Sequence, residues 1–585
     1  MSQGMEGRIC SWSNAKQLFR SNRFILVLLL ITSSTYAAFY LQYYSRSSPK
    51  DDNEAFLGHE RMPKQDDDRV NADKKEEDDR VNKAVSEEKK PVIPNDLVGE
   101  LGRNSTASGL IVGPFDSTED RILEKRPKGG CDENGDFARV VRGRKFVVVL
   151  HELSMTGAPI SMMELATELL LCEANVSVVV LDRGGGLMLE LERRKIKVVE
   201  DKGIVSFKTA VEADLVIPGS AVCASWIEQY RACFPGSQSE NIAWWIMENL
   251  RQYYEMSRYI LNRVKMLIFL IEPQSKQWLA WCAEDNINLD SQEILVAPLS
   301  VNDELASVAG FSASSDTSSS SGPEVTLDKR KELRKAVREE MGLKDSDAVV
   351  MCLGSINGVK GQLLFLESAA QMVDEKELSR EANITEVVSE SEGVLQEQTL
   401  KILIGSLWSR STDWGYLEAM LRIIYQHPNL SKLVLWTPTA TRVAALYTAA
   451  DVYVTNSQVM GFFLWTEQEN VGETFGRVTI EAMAFGLPVQ FQLYSVSPFL
   501  ILVHVLGTDA GGTKDIVEHN KTGLLHPLGH EGNQVLAQNL QFLLENPIAR
   551  QEMGARGREK VEKMYLKRHM LEKLAGGISR CMTTI

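Results

Sequence analysis

The chain has 585 residues, 44% of them apolar, enough for two or three domains with sizeable cores once polar tails are set aside. A formal net charge of −15 and a pI near 5.3 disfavour nucleic acid as a partner, because phosphate binding needs a basic face that no long stretch supplies. The eight cysteines (Cys10, Cys131, Cys172, Cys223, Cys233, Cys282, Cys352 and Cys581) contain no C-x-x-C pair, so zinc and thioredoxin-type chemistry lack support, and most read as buried thiols.

Residues 1–23 form a tail carrying Arg8, Lys16, Arg20 and Arg23. Phe24 to Leu41 follows as an apolar run that would span about 27 Å as a helix, close to the thickness of a bilayer core. With Asp51, Asp52 and Glu54 beyond it, the positive-inside rule predicts a signal anchor, with the tail in the cytosol and the body in a secretory lumen. A cleaved signal peptide is the alternative, since the strongly apolar part stops at Ile31 and Thr35-Tyr36-Ala37 resembles a cleavage site. Residues 42–140 read as a charged flexible stem: Asp51 to Lys90 holds 14 acidic and 9 basic residues, and the sequence DDRVN occurs twice. Sequons beginning at Asn104, Asn175, Asn383, Asn429 and Asn520 become usable in that compartment.

From Lys145 short apolar runs alternate with helical patterns. The runs Lys145–Leu150, Ser177–Asp182, Ile196–Glu200, Ala213–Ser220, Ile242–Met247, Lys265–Ile271 and Glu293–Leu299 predict buried parallel strands. Met162, Leu165, Ala166, Leu169 and Leu170 recur at helical spacing between the first two, so residues 141–310 read as a Rossmann-like doubly wound domain. After its first strand, His151 to Pro159 is a loop containing Gly157 and Ala158, where backbone could approach a bound ligand; an ordinary strand-to-helix turn is the plainer reading.

Residues 311–326 include the serine run of a linker, and residues 327–585 carry a second series of runs: Ala348–Gly354, Leu400–Ser406, Lys432–Trp436, Asp451–Ser457, Leu487–Val489 and Thr522–Pro527. The first is followed by Gly354-Ser355-Ile356-Asn357-Gly358-Val359-Lys360-Gly361. Gly472 to Val489 holds Glu473 and Glu481, separated by seven residues, in a loop that ends at Gly476 and a short helix with Ile480, Met483 and Ala484 on its apolar side. Spacing alone would leave both glutamates as solvated surface residues. The flanking glycines and a helix start that faces anions raise a binding reading.

These segments resemble the retaining nucleotide-sugar glycosyltransferases of family four (group 1), whose signature is Glu, seven residues, Glu. The resemblance implies a GT-B fold, two Rossmann-like domains facing a cleft, with the first on the acceptor side, the second binding a nucleotide-sugar donor, and a C-terminal helix (Arg550 to Leu574) returning to the first. It implies that Glu473 faces the donor sugar, that Glu481 holds the nucleotide ribose, that Thr474, Phe475 and Gly476 offer N–H groups to the diphosphate, and that Lys360, with Gly354, Ser355 and Gly361, neutralises the leaving group. Gly157 and Ala158 match the ligand-facing loop of the first domain, and the downstream Gly511-Gly512-Thr513-Lys514 also fits. No metal or cofactor is required; Asp345-Ser346-Asp347 reads as a polar turn.

The chain departs from the family at Ser355, where a second cation is usual, and at Met247, where many relatives have histidine. Two apolar insertions, Val459 to Asn470 and Gln490 to Val505, flank the glutamate motif; translated introns, splice products or a real cover over the cleft would each account for them. The expected activity is therefore transfer of a sugar from a nucleotide-sugar to a glycan, protein or lipid-linked acceptor, by a type II Golgi or other secretory-pathway membrane protein. An inactive binding or scaffold protein and a sugar-nucleotide epimerase are the alternatives.

Overall fold

The computed structural model describes residues 111–123, 131–132, 135–199, 201–236, 240–311, 323–384, 399–407, 412–438, 442–458, 473–486, 504–509 and 511–583. The expected anchor at 24–41, most of the stem, the serine run, the Leu487–Val489 run and both insertions except His504 and Val505 lie outside those residues. Among the described residues no helix is long and apolar enough to cross a membrane.

The first domain is a seven-stranded parallel sheet of β1 (Lys145–Leu150), β2 (Asn175–Val180), β3 (Lys197–Val199), β4 (Leu215–Gly219), β5 (Ala243–Trp245), β6 (Met266–Phe269) and β7 (Glu293–Val296), in the order β3-β2-β1-β4-β5-β6-β7. Its centre is buried on both faces, which is why these strands are continuous Val/Ile/Leu runs and not alternating ones. The second sheet contains β8 (Ala348–Cys352), β9 (Leu400–Leu407), β10 (Val434–Pro438), β11 (Val452–Thr455), β12 (His504–Thr508) and β13 (Gly523–His526), in the order β10-β9-β8-β11-β12-β13. Strand order reverses at β1 and at β8, and in open parallel sheets ligands bind beyond the carboxyl ends of strands at such a point.

β12 is the strand the sequence pattern does not foresee. His504 and Val505, assigned to the insertion, begin it, and Val505 pairs with Tyr453 on one side and Gly523 on the other.

Two boundaries are corrected. The stem expected to run to residue 140 is folded at its end: α1 (Asp116–Leu123) and α2 (Asp136–Val141) bury Val112, Phe115, Ile122, Phe137 and Val141. The Val112 N–H donates to the Trp436 carbonyl at 2.7 Å, at the edge strand of the second sheet, and a Cys131–Cys172 disulfide fixes the start of the next segment to the first domain. A few apolar residues in a polar stretch gave too weak a periodicity to reveal this. The linker expected to reach residue 326 ends earlier, because α4 (Pro323–Glu340) opens on Pro323, a residue suited to the first helical turn.

Four further helices position the site. α3 (Gly157–Leu171) follows β1, α5 (Gln362–Ile384) follows the Lys360 loop, α6 (Ala444–Ala449) precedes β11, and α7 (Arg477–Ala484) carries the end of the glutamate motif. Arg334 of α4 donates from Nη1 to the carbonyls of Thr448, Ala449 and Ala450 at 3.0–3.2 Å, and from Nη2 to Asp451 at 2.7 Å. It thereby satisfies carbonyls that a helix end leaves without partners and fixes α6. α8 (Pro547–Met564) lies against the end of α7, where a Cβ on Gly486 would come within 2.1 Å of the Gly554 carbonyl oxygen. α9 (Lys567–Thr583) then returns to the first domain: a Cβ on Gly577 would lie 2.6 Å from Leu295 of β7. One continuous apolar core results, running from Val148 and Trp245 through Leu299, Leu305 and Ile578 to Tyr453 and Ile480.

Candidate functional site

Glycine geometry brings three loops together at the carboxyl ends of β8 and β11. Gly361 has φ 64°, and a Cβ there would lie 2.0 Å from the Asn456 carbonyl oxygen; Asn456 Nδ2 donates to the Gly361 carbonyl at 2.8 Å. The Gln458 N–H donates to the Val359 carbonyl at 2.6 Å, so the Lys360 loop and the loop after β11 form one surface. The paired glycines downstream close the third side. The Gly512 N–H donates to the Glu473 carbonyl at 2.6 Å, and a Cβ on Gly512 would sit 2.4 Å from Phe475 backbone. Only glycine admits this approach.

On that surface the Lys360 Nζ lies 3.2 Å from Glu473 Oε1, and Ser457 Oγ donates to Glu473 Oε2 at 3.0 Å. Both members of the ion pair are partly exposed, 31% for Lys360 and 22% for Glu473, so each can exchange its partner for a ligand. Gly354 (φ 151°) turns the chain out of β8, and the Ser355 carbonyl accepts from Gln362 Nε2 at 2.9 Å. Ser355 contributes no charge, so Lys360 is the cation of this loop. Gly476 (φ 86°) leads into α7; Thr474 is half-buried, and Phe475 is buried edge-on against Tyr565, 6.0 Å between ring centres. The Phe475 side chain is therefore a packing residue, leaving its backbone for any ligand.

Glu481 stands apart from this group. It is 7% exposed, with Oε1 accepting from Arg477 Nε at 2.9 Å and Oε2 from the Tyr447 hydroxyl at 3.1 Å. Burial pushes its carboxyl above the usual range, opposed by the Arg477 guanidinium, and burial next to Glu481 likewise holds Tyr447 as an un-ionised phenol. Arg477 continues into the first domain, donating to Ser161 Oγ at 3.1 Å and to Glu164 Oε1 at 2.7 Å on α3. Ser161 in turn donates to the Gly157 carbonyl at 2.7 Å. Gly157 opens α3 with nothing within 4 Å of where its Cβ would be, so the protein's own packing does not demand glycine there; Ala158 is half-buried beside it.

Sequence reasoning missed Ser457, Tyr447, Arg477 and Glu164. Only Arg477 left a signal, its placement four residues before Glu481 on one helix face. Met247 is buried and donates its N–H to Glu248 Oε2 at 3.2 Å. Asp347 accepts from the Lys344 N–H at 2.8 Å, which makes the D-x-D a local turn, and no group of three or more His, Cys, Asp or Glu able to hold a metal ion occurs among the described residues.

The family described as "Glycosyl-transferase family 4" matches residues 142–314, and "Glycosyl transferases group 1" matches residues 334–490; together they cover more than half of the chain. The chain carries the two domains of a group 1 glycosyltransferase. The match in the second glycosyltransferase domain stops at residue 490, where the insertion expected at Gln490 begins. D-inositol 3-phosphate glycosyltransferase of Gordonia bronchialis is 24% identical over 252 residues, which are 43% of this chain and 44% of that protein, so the likeness spans less than half of either. The crystal structure of Anabaena HepE in complex with UDP-glucose has a TM-score of 0.53 at 14% identity, over 76% of this chain and 100% of that one. A glycosyltransferase from Rickettsia africae gives the same TM-score, identity and coverage. At that identity the two structures speak for the fold, a GT-B pair of parallel-sheet α/β domains.

Proposed function

We propose that the chain is a retaining glycosyltransferase that takes a sugar from a nucleotide-sugar donor and passes it to a glycan, protein or lipid-linked acceptor. The observation that carries this is the Lys360–Glu473 pair, 3.2 Å apart and partly open, beyond the carboxyl end of the strand where the second sheet reverses its order. On this reading the donor diphosphate takes the Lys360 ammonium from Glu473, and Lys360 neutralises the charge that develops as the diphosphate leaves. The freed Glu473 carboxylate, held by Ser457, then faces the sugar carbon as it gains positive character. Glu481 accepts from the ribose hydroxyls, each oxygen having a lone pair beyond the bond it already takes. No metal and no cofactor beyond the donor is assigned.

A secretory-lumen location as a type II membrane protein, the Golgi included, is part of the proposal. The Cys131–Cys172 disulfide supports it, because such bonds persist in oxidising compartments, and the sequon residues Asn175 and Asn520 are exposed. Removal of N-glycans from the chain recovered from cell membranes is expected to increase its gel mobility; an unchanged band would count against the lumenal placement.

Ser355 favours one second reading, an inactive binding protein, since it leaves this loop with a single cation. Hydrolysis and transfer assays with UDP-, GDP- and ADP-sugars separate the two. Turnover that Glu473→Gln abolishes supports the enzyme; binding without turnover under all acceptors supports the second reading.

A further inference from the structure

Arg477 joins two carboxylates, one on the donor-side helix and one on the first domain, with one charged group. Its guanidinium is buried at 8% exposure and uses three nitrogens on three partners: Nε on Glu481 (2.9 Å), Nη1 on Ser161 (3.1 Å) and Nη2 on Glu164 (2.7 Å). Glu164 and Ser161 belong to α3, the helix that opens on Gly157; Glu481 belongs to α7. A guanidinium fork of this kind is planar and rigid, so the orientation of one carboxylate constrains the other.

We infer that Arg477 is a positioning residue that makes the binding of the donor nucleotide depend on Glu164, across the domain boundary, by fixing the Glu481 carboxyl group in one orientation. The inference rests on the proposed function, in which Glu481 receives the nucleotide ribose. Three features point to positioning over simple cohesion. Glu481 is buried enough that an unpaired carboxylate there would shed its charge, and Arg477 opposes that. Tyr447 holds the opposite oxygen, so the plane of the carboxylate is set from two sides. Glu164 shares Arg477 with Glu481 and otherwise acts on it through its charge, which adds to the upward push on the Glu481 carboxyl, and its side chain is 20% exposed on the first domain. Losing Glu164 frees one end of the fork and lets the guanidinium swing, taking Glu481 with it.

The test uses the full-length chain, with nucleoside diphosphates (UDP, GDP and ADP) and their glucose conjugates as probes. Glu164→Gln keeps the shape and removes the charge. It is expected to raise the nucleotide Kd and the donor KM about tenfold, with kcat within about twofold, and Arg477→Lys to give an intermediate loss. The double variant Glu164→Gln with Glu481→Gln is expected to bind no more weakly than Glu481→Gln alone, because both act on one carboxylate. A purely structural Arg477 gives a different pattern: melting temperatures fall, while Kd and KM stay within twofold of wild type and the double variant is additive. That pattern overturns the inference. Should wild type bind and turn over a donor, and Lys360→Ala abolish turnover while Glu164→Gln behaves as wild type, the proposed function stands and Arg477 loses its positioning role. Should wild type bind none of the probes, both readings fall.

Discussion

The two ends of the glutamate motif, eight positions apart in one short stretch, meet opposite conditions. Glu473 lies in a loop with its partner Lys360, both reachable by solvent; Glu481 lies on α7 in a closed set with Arg477 and Tyr447. The chemistry is the same, carboxylate against cation. Burial decides what it does. An open pair costs little to separate and is free to serve a ligand, whereas a closed one is expensive to disturb because a member left alone is a buried charge or polar group without its partner. The open end is placed for chemistry and the closed end for orientation, and substitutions at each should fail in different ways.

The largest expected effect is at the closed end. Glu481→Ala takes one of its two carboxylates from the buried Arg477 and leaves the Tyr447 hydroxyl without its carboxylate, so unfolding in denaturant should show a loss at the lower end of about 3–5 kcal/mol, since Glu164 still pairs with Arg477. Glu481→Gln, which retains an oxygen acceptor, should lose less. A Glu481→Ala cost below about 1 kcal/mol would erase the contrast, because that is the scale of an exposed pair.

At the open end the effect moves from stability to rate. Lys360→Ala is expected to leave folding within about 0.5 kcal/mol of wild type while lowering donor turnover about 10²- to 10³-fold, the scale for losing one charge-stabilising group. Turnover measured beside a denaturation curve of the same preparation checks both. A stability loss at Lys360 matching that of Glu481→Ala would show that the 3.2 Å pair is a structural tie.

Between these lies Tyr447→Phe. The phenol donates to Glu481 Oε2 at 3.1 Å from a fully buried position, and hydrogen bonds to charged groups contribute about 1.5–3 kcal/mol. We expect a loss at the lower end of that range, since Arg477 still holds the other oxygen, together with a higher donor KM and little change in kcat.

How far this contrast could be read beforehand follows from which interactions are local. Among the described residues twelve of thirteen strands coincide with apolar runs, because burial on both faces at the sheet centres writes itself into consecutive residues. β12 did not, since its two first residues fall in a stretch that interrupts the pattern. Glu473, Lys360 and the glycines were legible as motif positions. Their mutual placement was not: the Gly361–Asn456 and Gly512–Phe475 approaches join segments about 95 and 37 residues apart, and nothing local records such a meeting. Glu164 was invisible for the same reason, being a helix-surface glutamate in sequence and a buried arginine's partner in space. The Cys131–Cys172 bond was equally out of reach, as spacing alone does not fix connectivity among eight cysteines.

The smallest effect calibrates the scale at a third degree of exposure. On the helix Leu187–Arg193, Glu190 accepts from Arg193 Nε at 2.7 Å and from Arg194 Nε at 2.8 Å, with the Arg193 side chain 52% exposed. The Arg193 hydrogen bond, more than any other influence, brings the Glu190 carboxyl down from 4.5 to about 2. The unfolded chain therefore binds this proton more readily than the folded one, and the pair's stabilisation is fully present above pH 4.5 and disappears as pH falls toward 2. Solvent screening limits it to less than about 1 kcal/mol. Unfolding free energies of wild type and Glu190→Gln should therefore differ by a constant above pH 5 and converge steadily below it. Parallel curves down to pH 2 would mean that the pair contributes nothing, and a gap as large as that of Glu481→Ala would mean that burial is not what separates the two ends of the motif.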